Sequence, residues 1–379
     1  MELSILEVIT LFLLLVSVLL ATFVLTVKTA NKRANIFLGV YFLIFAIHIS
    51  VFFYAKHITL PPVLEMLRDH IAFFTSPLLF LYVVSSIYSD FQLKAKHVLH
   101  VLPFVIQVLI FSPRFYFADN DTRDFLMEHL NDSLEGKLSI VFGLLIALFY
   151  LTIMFVEIKK YKQILLENYS NKSSFNYKWL HQLLVLLTVI FCFSLLKQLY
   201  KLFGTDVEVL NILRLVLTLT LIGFLMYIVL KSLYHPELFR NIDSDHFLGK
   251  RTAKGKFRNS VITEGSHKEL QKLLTFMEDE EPYIDASLSL QTLAEKLETT
   301  HRELSQLINL NLQQHFFDFI NQYRIKKAER ILLDPTKENL TIQQIMYDVG
   351  FNSKSSFYTA FKKQTGVTPK EYRKRKSIE

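Results

Sequence analysis

Long, nearly unbroken apolar runs fill the chain up to about residue 230, and beyond Tyr234 they give way to short apolar stripes at helical spacing. A helix crossing a bilayer core needs roughly 20 apolar residues, because backbone groups there must be satisfied internally. Seven stretches meet that need: 5–27, 36–54, 71–88, 98–112, 138–156, 180–203 and 209–230. The fourth is interrupted by Pro103 and closed by Pro113, whereas Ile9–Val27 is apolar on every face. The pattern predicts a bundle of seven transmembrane helices over 1–233. A polar, basic, flexible linker follows over 234–265, with the stretch GKRTAKGKFR from Gly249 to Arg258. Such a segment suits solvent beside an anionic inner leaflet. Order is expected to resume in a connecting helix over 266–284. Ser266 and Glu269 have the spacing of a capping box, ahead of Leu270, Leu273, Leu274 and Met277 at helical intervals.

From 285 to 379 the apolar pattern repeats. Leu290, Leu293, Ala294 and Leu297 recur 52 residues later as Ile342, Ile345, Met346 and Val349. Leu304 and Ile308 recur 53 residues later as Phe357 and Phe361. Each unit reads as a short helix, a tight turn and a second helix, which is a helix-turn-helix present twice. Thr300-x-x-Glu303 and Thr341-x-x-Gln344 supply helix starts, and Gly350 suits a left-handed helix exit. Phe316 to Leu333 reads as one helix joining the units. The fold class predicted is therefore all-α throughout.

The second helix of such a unit fits the major groove of DNA, packing one face and presenting the other to bases. With Leu304, Leu307 and Ile308 inward, Arg302, Ser305, Gln306 and Asn309 point outward. With Phe357 and Phe361 inward, Ser355, Tyr358, Thr359 and Lys362 point outward, flanked by Lys354 and Lys363. Hydroxyl, amide and guanidinium groups bond base edges, while lysines suit phosphates.

Charge sharpens the division. Residues 234–379 hold 43 of the 77 charged side chains, and the mean hydropathy of the whole chain is +0.29. The first run carries Glu2 and Glu7 but no preceding cation, which predicts a retained helix and not a cleaved leader. With the N-terminus outside, the inner loops hold ten Lys or Arg and the outer loops five, so the C-terminal half falls in the cytoplasm of an inner-membrane protein. Polar residues within spans mark function, and His48, His100, Gln107, Lys197, Gln198 and Arg214 qualify. Of these, Lys197 and Arg214 near the outer ends of helices six and seven are the signal-sensing candidates. A single cysteine, Cys192, excludes disulfide frameworks and cysteine-based metal clusters.

The run DVGFNSKSSFYTAFKKQTGVTPKEYR, Asp348 to Arg373, resembles the signature of AraC/XylS-type bacterial transcription regulators. The matching positions include Gly350, Phe351, Phe357, Phe361, Gly366, Pro369 and Tyr372. LSLQTLAEKL, ELSQLINLNL and FFDFINQYRIKKAERILL resemble that family's first unit and linker helix, so the resemblance covers roughly 285–375. It implies binding to promoter DNA and, usually, activation through RNA polymerase. Gln313 stands where the family commonly carries Gly, which bears on how the first recognition helix ends.

The reading that follows is a membrane-anchored transcription regulator, an activator in the usual mode of the family. It couples an unknown small-molecule or envelope signal to DNA occupancy, with a homodimer as one route. Its partners are the lipid bilayer, promoter DNA and RNA polymerase. The alternative is a polytopic receptor or transporter whose helical tail binds protein partners. No phosphate-binding loop, zinc-protease, esterase or kinase motif occurs, so a non-enzyme without cofactor or metal is expected.

Overall fold

The computed structural model describes residues 5–28, 32–88, 91–170, 177–204, 206–234 and 264–375. The basic linker sequence Gly249–Arg258, most of the predicted 234–265 linker and the tail beyond residue 375 lie outside these residues. The chain divides into two compact units, one of residues 1–158 and 178–253 and one of residues 159–177 and 254–379. Among the described residues there is no named strand, only one isolated antiparallel bridge between Tyr169 and Ser289.

Seven helices are long and apolar enough to cross a membrane. They are α1 (Ile5–Thr26), α2 (Lys32–Tyr54), α3 (Pro62–Ile87), α4 (Ala95–Tyr116), α5 (Leu134–Asn168), α6 (Tyr177–Phe203) and α7 (Val207–Lys231). In the first unit Leu20, Ala21, Val24, Phe42 and Val83 are buried, while Leu15, Leu145 and Ile212 stay exposed. Two polar side chains in this interior are paired with neighbours: Asn35 donates to the Val24 carbonyl at 3.1 Å and Trp179 to the Tyr82 hydroxyl at 3.0 Å.

Several elements run further than the hydropathy pattern indicates. Helix α4 is built from a 3₁₀ turn (Ala95–Val101), an α segment (Leu102–Phe111) and a π turn (Ser112–Tyr116). Pro103 is accommodated at the second position of the α segment, where its missing N–H costs no hydrogen bond. The polar 113–137 stretch contains a short helix, Asn120–Glu128, capped by Asp119, which accepts from the Thr122 amide. Helix α5 does not end near residue 156 but continues through the Lys159–Lys162 cluster to Asn168.

The second unit holds α8 (Glu264–Asp279), α9 (Leu290–Lys296), α10 (His301–Gln306), α11 (Phe316–Leu333), α12 (Ile342–Asp348), α13 (Lys354–Thr365) and α14 (Pro369–Arg375). Helix α8 starts two residues before Ser266, which places Ser266 in its first turn and not at the cap; the side chain of Ser266 lies outside the described residues. Two separate cores form. Leu273, Met277, Leu293, Leu304, Ile308 and Phe319 belong to the first. Ile325, Ala328, Ile345, Val349, Phe357 and Phe361 belong to the second. The N-terminal half of α11 is shared with one core and its C-terminal half with the other.

Candidate DNA-binding site

Local capping sets where each reading helix begins. The Thr300 hydroxyl accepts from the Glu303 amide and the Glu303 carboxylate accepts from the Thr300 amide, a reciprocal capping box at the start of α10. The Thr300 hydroxyl donates to the same carboxylate at 2.7 Å, and together with the Thr300 amide it holds the Glu303 carboxyl below the usual carboxylate range. Thr341 and Gln344 repeat the device at α12, and Ser353 caps α13. Ser289 and Thr292 form a further box at α9, which the Glu/Gln-based signature misses because Thr takes the third position.

Burial follows the inward assignment. Leu304 and Ile308 are each 1% exposed and Phe357 and Phe361 fully buried, so the opposite faces are presented outward. Arg302 and Gln306 are exposed, and Ser305 and Asn309 half-buried. Asn309 lies beyond the α-helical part of α10, in a π turn spanning Leu307–Asn311, and donates to the Ser305 hydroxyl at 3.2 Å. In the second unit Lys354, Ser355, Thr359, Lys362 and Lys363 are exposed, and Tyr358 packs partly on the core. The Lys354 ammonium sits 5.6 Å from the Tyr358 ring centroid, within cation–π range. Lys363 is turned back to Asp318 on α11 at 2.9 Å, so it is partly committed to an ion pair with the linker helix. Arg302 and Lys362 have no ion pair among the described residues.

Gly350 takes φ +90°, and a Cβ there would meet the Tyr283 and Ile284 carbonyl oxygens at 2.6 Å. Gln313 takes φ 51°, so the left-handed exit that the family commonly makes with Gly is made here by a side-chain-bearing residue.

Arg324 is the side chain that the apolar pattern of α11 leaves out. It is completely buried. Its Nε donates to the Tyr283 carbonyl at 2.7 Å and one terminal nitrogen to the Asp285 carbonyl at 2.8 Å. The other terminal nitrogen donates to the Ser170 carbonyl at 3.1 Å, and the guanidinium lies 5.5 Å from the Phe351 ring centroid. Burial pushes the group down to about 10, which leaves it charged at neutral pH. The signal was present: Ile320, Arg324 and Ala328 recur every four residues, so a cation stands on the apolar face. Nearby, a hydrogen bond from Lys327 holds the Glu281 carboxyl below its ordinary value.

In the first unit Lys197 and Arg214 are half-buried, and neither makes an ion pair among the described residues; Arg214 donates to Asn211 at 3.2 Å. Gln107 is buried and donates to Ser139, while His100 pairs with the Tyr150 hydroxyl at 2.8 Å. A cavity of about 370 Å³ is lined by His48, Asp69, Ser76, Ser139, Gln198 and Lys201.

Comparison with known proteins agrees with the C-terminal geometry. A helix-turn-helix domain family matches residues 293–375. The HTH-type transcriptional activator RhaS of Enterobacter sp. (strain 638) is 32% identical over 123 residues, 31% of this chain and 41% of that protein. An uncharacterized HTH-type transcriptional regulator in the cgkA 5' region of Pseudoalteromonas carrageenovora is 30% identical over 87 residues, 23% of this chain and 49% of that protein. A solved structure, the C-terminal domain of AraT, a response regulator from Geobacillus stearothermophilus, shares 29% identity with a TM-score of 0.25, covering 31% of this chain and 88% of that one. The chain thus spans less than half the length of these curated relatives. Two capped helix-turn-helix units, their signature residues and this match together make residues 293–375 an AraC-type helix-turn-helix domain.

Proposed function

We propose that the chain is a membrane-anchored, sequence-specific transcription regulator, an activator that works through RNA polymerase. The observation that carries the DNA reading is the pair of outward polar faces. Arg302, Ser305, Gln306 and Asn309 form one, and Ser355, Tyr358, Thr359 and Lys362 the other, each on a helix whose opposite face is buried. Lys354 and Lys363 supply phosphate contacts at the flanks. If both helices enter successive major grooves about 34 Å apart, the linker helix α11 holds them on one face of the duplex.

In this reading residues 1–233 are a seven-span sensor of the inner membrane with the N-terminus outside, 234–265 a basic linker, 266–284 a connecting segment formed mostly by α8, which ends at Asp279, and 285–379 the cytoplasmic DNA-binding domain. The loop-charge asymmetry and the seven apolar helices support it. Lys197 and Arg214 form a cationic floor for an anionic signal, supported by their lack of ion pairs among the described residues. Helix α8 is the dimer contact. Sedimentation of a 262–379 fragment with and without α8 tests that contact, and an unchanged mass removes it.

The DNA reading is tested by titrating purified 262–379 with duplexes from the gene's own flanking region, under non-specific competitor and a salt series. A competitor-resistant complex whose affinity falls steeply with salt is expected. A folded fragment that retains no duplex, even when artificially dimerised, refutes it in favour of a protein-binding tail.

A further inference from the structure

The cytoplasmic end of α5 is built into the helix-turn-helix unit. Ser170 is 2% exposed. Its amide and hydroxyl both donate to the Leu288 carbonyl, at 3.3 and 2.7 Å, and its carbonyl and hydroxyl oxygens accept from Arg324, each at 3.1 Å. Tyr169 bridges Ser289, the cap of α9, in antiparallel fashion. Asn168 Oδ1 lies 2.7 Å from Nε2 of His301, the first residue of α10. Burial lowers the His301 pKa, which favours the neutral ring whose Nε2–H donates to Asn168.

These three consecutive residues therefore grip the cap of the first helix and the first residue of the second in unit one. Those are the edges a helix-turn-helix turns to DNA, the first helix crossing the backbone and the second entering the groove by its N-terminal residues. His301 is one residue, about 100° of helix, from Arg302 on the outward face. Asn168 is also the last residue of the 35-residue helix that begins at Leu134, and Tyr169 and Ser170 follow it directly.

We propose that Asn168–Ser170 is an intramolecular brake: docked on Leu288, Ser289, His301 and Arg324, it holds the first reading unit away from DNA, and its release permits binding. Arg324 is the anchor, since its remaining donors stay with Tyr283 and Asp285 whether or not the segment is present. This rests on the regulator reading above and adds the contact by which α5 controls it.

Facing residues of an antiparallel bridge have Cα atoms about 4.5 to 5.5 Å apart, inside the range a disulfide spans. The test is the full chain in nanodiscs carrying Cys192→Ser, Tyr169→Cys and Ser289→Cys, with duplexes from the gene's flanking region as probe. Oxidation is expected to form an intramolecular bond, identified by peptide mass, and to weaken DNA binding about tenfold or more, as expected when the competent fraction of molecules falls. Reductant restores affinity on the same sample, so any loss of folding from the substitutions cancels. Ser170→Pro, which removes the amide and hydroxyl donated to Leu288, is expected to strengthen binding several-fold. No bond under oxidant overturns the docking, and a bond without effect on affinity, or a Ser170→Pro chain that binds more weakly, overturns the brake. A reduced chain that binds no duplex while its bond still forms refutes the regulator reading instead, and the brake with it.

Discussion

Gly350 and Gly366 provide a paired measurement of what a close backbone approach costs. Both have left-handed φ, +90° and +79°, so an Ala at either position incurs backbone strain of about 1 to 2 kcal/mol. They differ in surroundings. A Cβ on Gly350 would lie 2.6 Å from two carbonyl oxygens, those of Tyr283 and Ile284, whereas nothing lies within 4 Å of one on Gly366. The Tyr283 carbonyl cannot retreat freely, because it accepts from Arg324 at 2.7 Å. Overpacking of that kind adds roughly 1 to 3 kcal/mol. Gly350→Ala should therefore destabilise the 262–379 fragment by at least ~2 kcal/mol and Gly366→Ala by only ~1. For a domain near 100 residues each kcal/mol moves Tm by roughly 4 to 8 °C, so the two variants separate clearly in calorimetry. Urea titration at constant m confirms that the native state is what changed. Equal losses from the two variants would refute the role assigned to the carbonyl pair.

Other expectations follow from residues already placed. Gln313→Gly relieves an exposed left-handed residue and should stabilise the fragment by about 0.5 to 1 kcal/mol in urea, with no change in fold. The Glu281 carboxyl is held below its unfolded value by Lys327, so its stabilising share is complete above about pH 4.5 and is lost as pH falls through the native value. Glu281→Gln should flatten that part of a stability-versus-pH curve, and a curve unchanged by the substitution counts against the pairing. Lys362→Ala should weaken binding to all duplexes alike and lower the salt slope by about 1, whereas Gln306→Ala should relax discrimination at one base pair by roughly 1 to 3 kcal/mol. A uniform loss from Gln306→Ala in a base-substitution panel contradicts its assignment to base reading.

The C-terminal elements were legible because local chemistry and burial agree there. Thr300 with Glu303 and Thr341 with Gln344 are complete capping signals, and Phe316–Leu333 has an apolar stripe, interrupted at Arg324, that matches the observed α11. The seven long apolar helices were legible in number, but not in extent, because hydropathy marks where a helix is apolar and not where it stops. Helix α5 continues for twelve residues past the expected 156, through a polar segment with good helix formers. Contacts between residues far apart in sequence left no periodic trace. Ser170 reaches Arg324 across 154 positions, and Lys363 reaches Asp318 across 45. Gln313 shows the opposite case, where a missing Gly bore on the exit geometry and the backbone took the left-handed turn regardless.

Helix α11 has no bend allowance between the two cores it serves, since Ile320 belongs to one and Ile325 to the other within the same rigid cylinder. Its residue count is therefore an angular quantity. Adding one residue between those positions would turn the second core by about 100° and advance it by about 1.5 Å. Exposed positions of this helix can vary in identity, but its length can change only in steps that restore the phase, and even two full turns would advance the second core by about 11 Å. Insertions and deletions among homologous domains should accordingly fall at the turn around Pro335–Lys337 and never between Phe316 and Leu333.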